Sequence, residues 1–78
     1  MNKQIYKLST EEILKKYPIV GKTFGWYFRV NEISNNVYEI EGTDQWGRLV
    51  YRQGSNPEAL MMDCEIDASK INESNKST

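Results

Sequence analysis

Between Lys22 and Ile33 the chain alternates: Phe24, Trp26, Phe28 and Val30 occupy one parity, and Tyr27, Arg29 and Asn31 the other. Successive side chains of a strand point to opposite faces, so this period of two predicts a long half-buried β-strand with an aromatic face. Something else in the chain must cover that face.

The next segments supply partner strands. Ser34-Asn35-Asn36 is a turn cluster, and Val37 to Gly42 follows as a second strand with Tyr38 and Ile40 on one face. A two-residue Asn-Asn turn would set Asn31 against Ile40, placing apolar side chains on the polar face. A three-residue loop with Asn36 left-handed instead pairs Val30 with Ile40, Phe28 with Gly42 and Arg29 with Glu41. Asp44-Gln45-Trp46-Gly47 reads as a four-residue turn with glycine at its left-handed exit, leading into a third strand from Arg48 to Gln53. That turn pairs Thr43 with Arg48, Ile40 with Tyr51 and Glu39 with Arg52. It assigns Leu49 and Tyr51 to the core, and it tiles the outer face with Arg29, Glu39, Glu41 and Arg52.

Helices flank this meander. Ser9-Thr10-Glu11-Glu12 forms a capping box that opens a short helix carrying Ile13, Leu14 and Tyr17 inward, and Pro18 ends it. Gly54-Ser55-Asn56-Pro57-Glu58 opens a second helix, with Ser55 or Asn56 as cap and proline at the first helical position. The second helix should reach about Ile71 and lay Leu60, Met61, Cys64, Ala68 and Ile71 across the aromatic sheet face. Met62 and Ile66 fall on its outer side. The expected fold is therefore α+β, a three-stranded antiparallel meander with a helix before and after it (αβββα). One domain spans residues 1–71, and residues 72–78 form a polar, disordered tail.

With 78 residues, folding buries only roughly 60% of the extended chain's surface, which leaves little room for a deep catalytic cavity. The chain has no histidine, and so lacks the commonest general base, nitrogen metal ligand and activator of a cysteine nucleophile. Its single cysteine, Cys64, lies on the buried stripe, where a thiol behaves as a small hydrophobe. Glu39 and Glu41 share a strand face and could serve as paired carboxylates, but their arginine neighbours make a solvated ion-pair lattice the simpler reading. The glycines Gly21, Gly25, Gly42, Gly47 and Gly54 are scattered, and none forms a phosphate-cradling loop. No catalytic residue, metal or cofactor is expected. Met1 to Tyr17 contains no continuous apolar stretch, and nothing approaches the ~20 apolar residues of a membrane span, so a cytoplasmic protein is expected.

Charge is unevenly distributed. Residues 1–29 carry six lysines and arginines against two glutamates, whereas residues 30–78 carry four against nine acids. Lys15, Lys16, Lys22, Tyr27 and Arg29 could contact phosphates or stack on bases, and the αβββα order resembles that of double-stranded RNA-binding domains. Those domains concentrate lysines at the start of the last helix, whereas this chain has Asn56-Pro57-Glu58 there, followed by Asp63, Glu65 and Asp67. Nucleic-acid binding is therefore the alternative reading. Trp46, at a turn tip, either anchors a partner or folds back over the sheet edge.

The run Gly25-Trp26-Tyr27-Phe28-Arg29-Val30 resembles small bacterial immunity proteins of polymorphic or contact-dependent toxin systems, together with Val37-Tyr38, Glu41-Gly42-Thr43-Asp44, Gly47-Arg48 and Asn56-Pro57-Glu58-Ala59-Leu60. The resemblance covers residues 22–68 and is one of style. It implies a non-enzymatic toxin inhibitor whose partner is a toxin domain with a basic cleft. In that reading Glu58, Asp63, Glu65 and Asp67 steer association and Trp46 anchors it. A third possibility is a homo-oligomer joined through an open sheet edge.

Overall fold

A computed structural model describes residues 8–76. In chain order these form α1 (Thr10–Lys16), β1 (Ile19–Val20), β2 (Trp26–Ser34), β3 (Val37–Asp44), β4 (Leu49–Gly54) and α2 (Pro57–Lys76). The class is α+β, with one antiparallel sheet in the order β1-β2-β3-β4. Four strands stand where three were expected. The extra one is the pair Ile19 and Val20, which leaves α1 through Pro18 and lies against Phe28 and Tyr27.

Both helix starts are capped by the residues their sequences indicate. Ser9 Oγ accepts from the Glu12 N–H, and Asn56 Oδ1 accepts from the Glu58 and Ala59 N–H groups. Each cap satisfies donors that the first helical turn leaves unpaired.

The β2–β3 pairing has the expected register, with Val30 opposite Ile40, Phe28 opposite Gly42 and Arg29 opposite Glu41. Asn36 is left-handed at φ 62°. The register shifts between Glu32 and Ser34, so Ser34 is drawn into pairing with Val37, and the expected three-residue loop is replaced by the two-residue turn Asn35-Asn36 with an irregularity at Ile33.

The β3–β4 pairing differs by one residue. Thr43 lies opposite Leu49, Glu41 opposite Tyr51 and Ile40 opposite Arg52. Asp44 N–H donates to Arg48 O and Gly47 N–H to Asp44 O, leaving Gln45, Trp46 and a left-handed Gly47 (φ 86°) as a three-residue connection. A slip of one residue turns every side chain over. Val50 is buried, whereas Leu49 and Tyr51, expected in the core, are half exposed, and Arg52 turns toward α2 instead of joining the outer face.

The core consists of Trp26, Phe28, Ile40, Val50, Cys64 and Ala68, with Leu60, Met61 and Ile71 packed against it. Six apolar groups of this kind, at about 1.5–3 kcal/mol for each large side chain removed from water, are the main stabilising term. Phe28 is wholly buried because glycines make room for its ring. A Cβ on Gly42 or Gly21 would collide with it. Phe24 and Val30 do not join this core as the alternation suggested. Phe24 precedes the strand in a turn and is 92% exposed, and Val30 lies toward the protruding hairpin at 38% exposure.

Helix α2 lies over β3 and β4, on the Phe28 face. Helix α1 meets the opposite face: Tyr17 donates to Glu41 Oε2 at 2.9 Å and its ring lies 5.5 Å from the Arg29 guanidinium. Ile13 is buried there, apart from the main core. Helix α2 continues to Lys76, past the expected end at Ile71, so residues 72–76, expected as part of a disordered tail, are helical. Residues 77–78 of that tail lie outside the described residues, as do Lys3 and Lys7 of the basic segment. Among the described residues no helix is long and apolar enough to cross a membrane.

Candidate binding cleft

Trp26 and Asp44 face each other across β2 and β3. Just before Trp26 comes the turn bearing Phe24, and just after Asp44 comes the loop bearing Trp46, so sheet pairing brings two distant aromatics to one end of the molecule. Between them opens a cleft of about 370 Å³, lined by Phe24, Trp26, Gln45, Trp46, Arg48 and Asn72.

The Phe24 side is built by α2. Trp26 N–H donates to Thr23 O, and Gly25 at the third turn position has φ 84°, the arrangement that puts Phe24 at the turn's tip. Glu65 Oε2 accepts from Lys22 N–H at 2.8 Å, its Oε1 from Thr23 N–H at 2.9 Å, and its backbone oxygen from the Thr23 hydroxyl. Two helical turns later, Asn72 Oδ1 accepts from Trp26 Nε1–H at 3.0 Å while Asn72 Nδ2–H donates to Phe24 O. Burial pushes the Glu65 carboxyl up, but the donors from Lys22 and Thr23 outweigh it and hold the group below its ordinary range.

The Trp46 side is built around Asp44. Its carboxylate is nearly inaccessible, at 3% exposure for the residue, yet it is fully engaged. Oδ1 accepts from the Trp46 and Arg48 N–H groups at 2.9 Å each, and Oδ2 pairs with the Arg48 guanidinium. The loop is thereby fixed with Trp46 50% exposed at its tip, between the two alternatives the sequence left open. The Nη1 of Arg48 is buried without a hydrogen-bond partner.

The four acids assigned to steering have different fates. Glu58 and Asp63 are exposed, but Glu65 is committed to the Phe24 turn and Asp67 pairs with Arg52 at 2.8 Å. The basic set is also divided. Lys15 and Lys16 are exposed on α1, on the side of the sheet where Tyr27 and Arg29 lie, whereas Lys22 sits beside Glu65, Met61, Met62 and Ile66 on the α2 side. Arg29 is held by Glu41 at 2.6 Å, and the hydrogen bond from Arg29 lowers the Glu41 carboxyl below its ordinary range against the opposing effect of burial.

Glu39 accepts from Tyr51 Oη–H and Asn31 Nδ2–H, and Glu41 from Arg29 and Tyr17, so each of these strand carboxylates has both oxygens engaged by neighbours. Cys64 is fully buried on the sheet-facing side of α2, donating weakly to Ile40 O, and burial raises its thiol to about 11. Among the described residues no three of Cys, Asp and Glu gather closely enough to hold a metal ion.

Sequence reasoning singled out Trp46 but missed Phe24 and Asn72. The signal for Phe24 was Gly25, since a glycine between two apparent strand positions marks a turn as readily as a strand. Asn72 carried no comparable signal. No known family model, curated protein or solved structure matches this chain.

Proposed function

We propose that this protein acts by binding another protein through the Phe24–Trp46 cleft, without changing a covalent bond. One observation carries the reading: Phe24 is almost wholly exposed on a loop held in place by four hydrogen bonds, three that Glu65 accepts and one that Asn72 donates. Leaving such a ring in water forgoes about 1.5–3 kcal/mol of burial. Holding it rigidly lowers the ordering cost of association. Aromatic anchors in a pre-formed site, facing a second exposed aromatic, are the features of an interface hot spot.

The narrower form of the proposal is neutralisation of a bacterial toxin domain, which the sequence resemblance suggests. Steering toward a basic cleft would then fall to the exposed Glu58 and Asp63, with Phe24 joining Trp46 as anchor. The test is co-expression with a toxin domain encoded beside this chain. Protection of growth should fail for Phe24→Ala with Trp46→Ala, while circular dichroism stays unchanged. Protection by the double variant equal to that of the unmodified chain would reject the cleft, and no protection by the unmodified chain would reject toxin neutralisation.

A further inference from the structure

The sheet has two edges, and they are treated differently. On one side β2 is shielded at Tyr27 and Phe28 by β1, and its unshielded end carries a register irregularity and the charged Glu32. Both are devices that discourage further strand pairing. On the other side β4, Leu-Val-Tyr-Arg-Gln-Gly, has no lysine, no proline and no register shift against β3, and its one charged residue, Arg52, is drawn to Asp67 on α2. Its outward backbone groups form a six-residue template, and Leu49 and Tyr51 stand half exposed along it.

The surroundings of β4 define what could pair with it. On the α2 side Asp63 and Asp67, four residues apart and so on one helix face, both act on Arg52. Two carboxylates there meet one guanidinium. On the other side Tyr51 donates to Glu39 at 2.9 Å. The α2 flank of the edge is thus acidic, which opposes self-pairing, because a second copy related by a two-fold axis would bring its own Asp63 and Asp67 to the same flank.

We propose that β4 is a docking edge for an extended, basic segment of a partner protein, which joins the sheet as a fifth strand. Backbone hydrogen bonds supply the attachment, and alternation supplies the selectivity. Lysine or arginine side chains point toward Asp63 and Asp67, and apolar ones cover Leu49 and Tyr51. This surface is distinct from the aromatic cleft, and the proposal stands whether or not the cleft binds.

The probes are two capped hexapeptides, one alternating lysine with valine and one alternating glutamate with valine, titrated into the ¹⁵N-labelled full chain. The lysine peptide should shift the amides of Leu49–Gly54, slow their exchange, and bind about tenfold more tightly than the glutamate peptide, as expected when attraction to the acidic flank replaces repulsion from it. Asp63→Asn, which leaves the Arg52–Asp67 pair intact, should narrow that ratio by about half. Equal affinity for the two peptides, shifts confined to residues outside β4, or a dimer whose β4 amides are protected before any peptide is added would each overturn the proposal. Phe24→Ala should leave the titration unchanged, which separates failure of this edge from failure of the cleft.

Discussion

Glu65 grips Thr23 twice, accepting its backbone N–H on a carboxylate oxygen and its hydroxyl on a backbone oxygen. A residue in the middle of α2 thereby fixes a turn 42 positions earlier in the chain. The pairing has a pH signature. Because the folded carboxyl lies below its ordinary range, its stabilisation is fully present above the unfolded value of roughly 4.3 and is lost as pH falls through the folded value. Glu41, lowered by Arg29, acts in the same sense. Denaturant unfolding between pH 7 and pH 3 should show stability declining below about pH 4. Glu65→Gln should flatten that decline and cost about 1–2 kcal/mol at neutral pH.

Gly42 is required by the ring it faces. Gly42→Ala places a methyl group where Phe28 packs, and overpacking of this kind costs about 1–3 kcal/mol. In a Phe28→Leu background, where the flat ring is gone, the same substitution should cost measurably less. Equal costs in the two backgrounds, from a double-mutant cycle of unfolding free energies, would show that the ring and the glycine are not coupled.

The β3–β4 register makes a prediction about adjacent residues. Val50→Ala should destabilise by about 1–3 kcal/mol, while Leu49→Ala should stay within about 0.5 kcal/mol. A register one residue different would reverse the order, so two unfolding curves decide it.

Cys64 should be silent toward thiol reagents in the native state, because it is buried and its thiol is raised to about 11. Alkylation followed by mass spectrometry should label it only at the rate at which the chain opens. Prompt labelling under native conditions would contradict the packing of α2 on the sheet.

Much of the fold was legible because it followed from periodicity and caps. Ser9 and Asn56 announce both helices, and the match of Arg29 with Glu41 and Val30 with Ile40 gives the first hairpin its register. The second hairpin was misjudged because Gly47 was read as the last residue of a four-residue turn. The Asp44 carboxylate, gathering the Trp46 and Arg48 amides, instead closes a three-residue connection with Gly47 left-handed at its exit, whereas the first hairpin turns on Asn35 and Asn36 alone once Ser34 pairs with Val37. Side-chain capture of backbone groups by aspartate competes with simple turn counting. Strand β1 was missed because two residues carry no period. The cleft was only half legible: Trp46 stands out by residue type, but Phe24 was assigned to the core by an alternation that ends at Gly25, and Asn72 acts through contacts 46 and 48 positions distant.

The extension of α2 beyond Ile71 ties the C-terminal end of the helix to the turn before β2. Its last turns carry the amide that holds both the indole of Trp26 and the carbonyl of Phe24, so fraying there would loosen an aromatic tip in the first third of the polypeptide. The far end of the helix works as a latch, and removing the C-terminal residues from Asn72 onward would blunt the aromatic cleft before it melted the core.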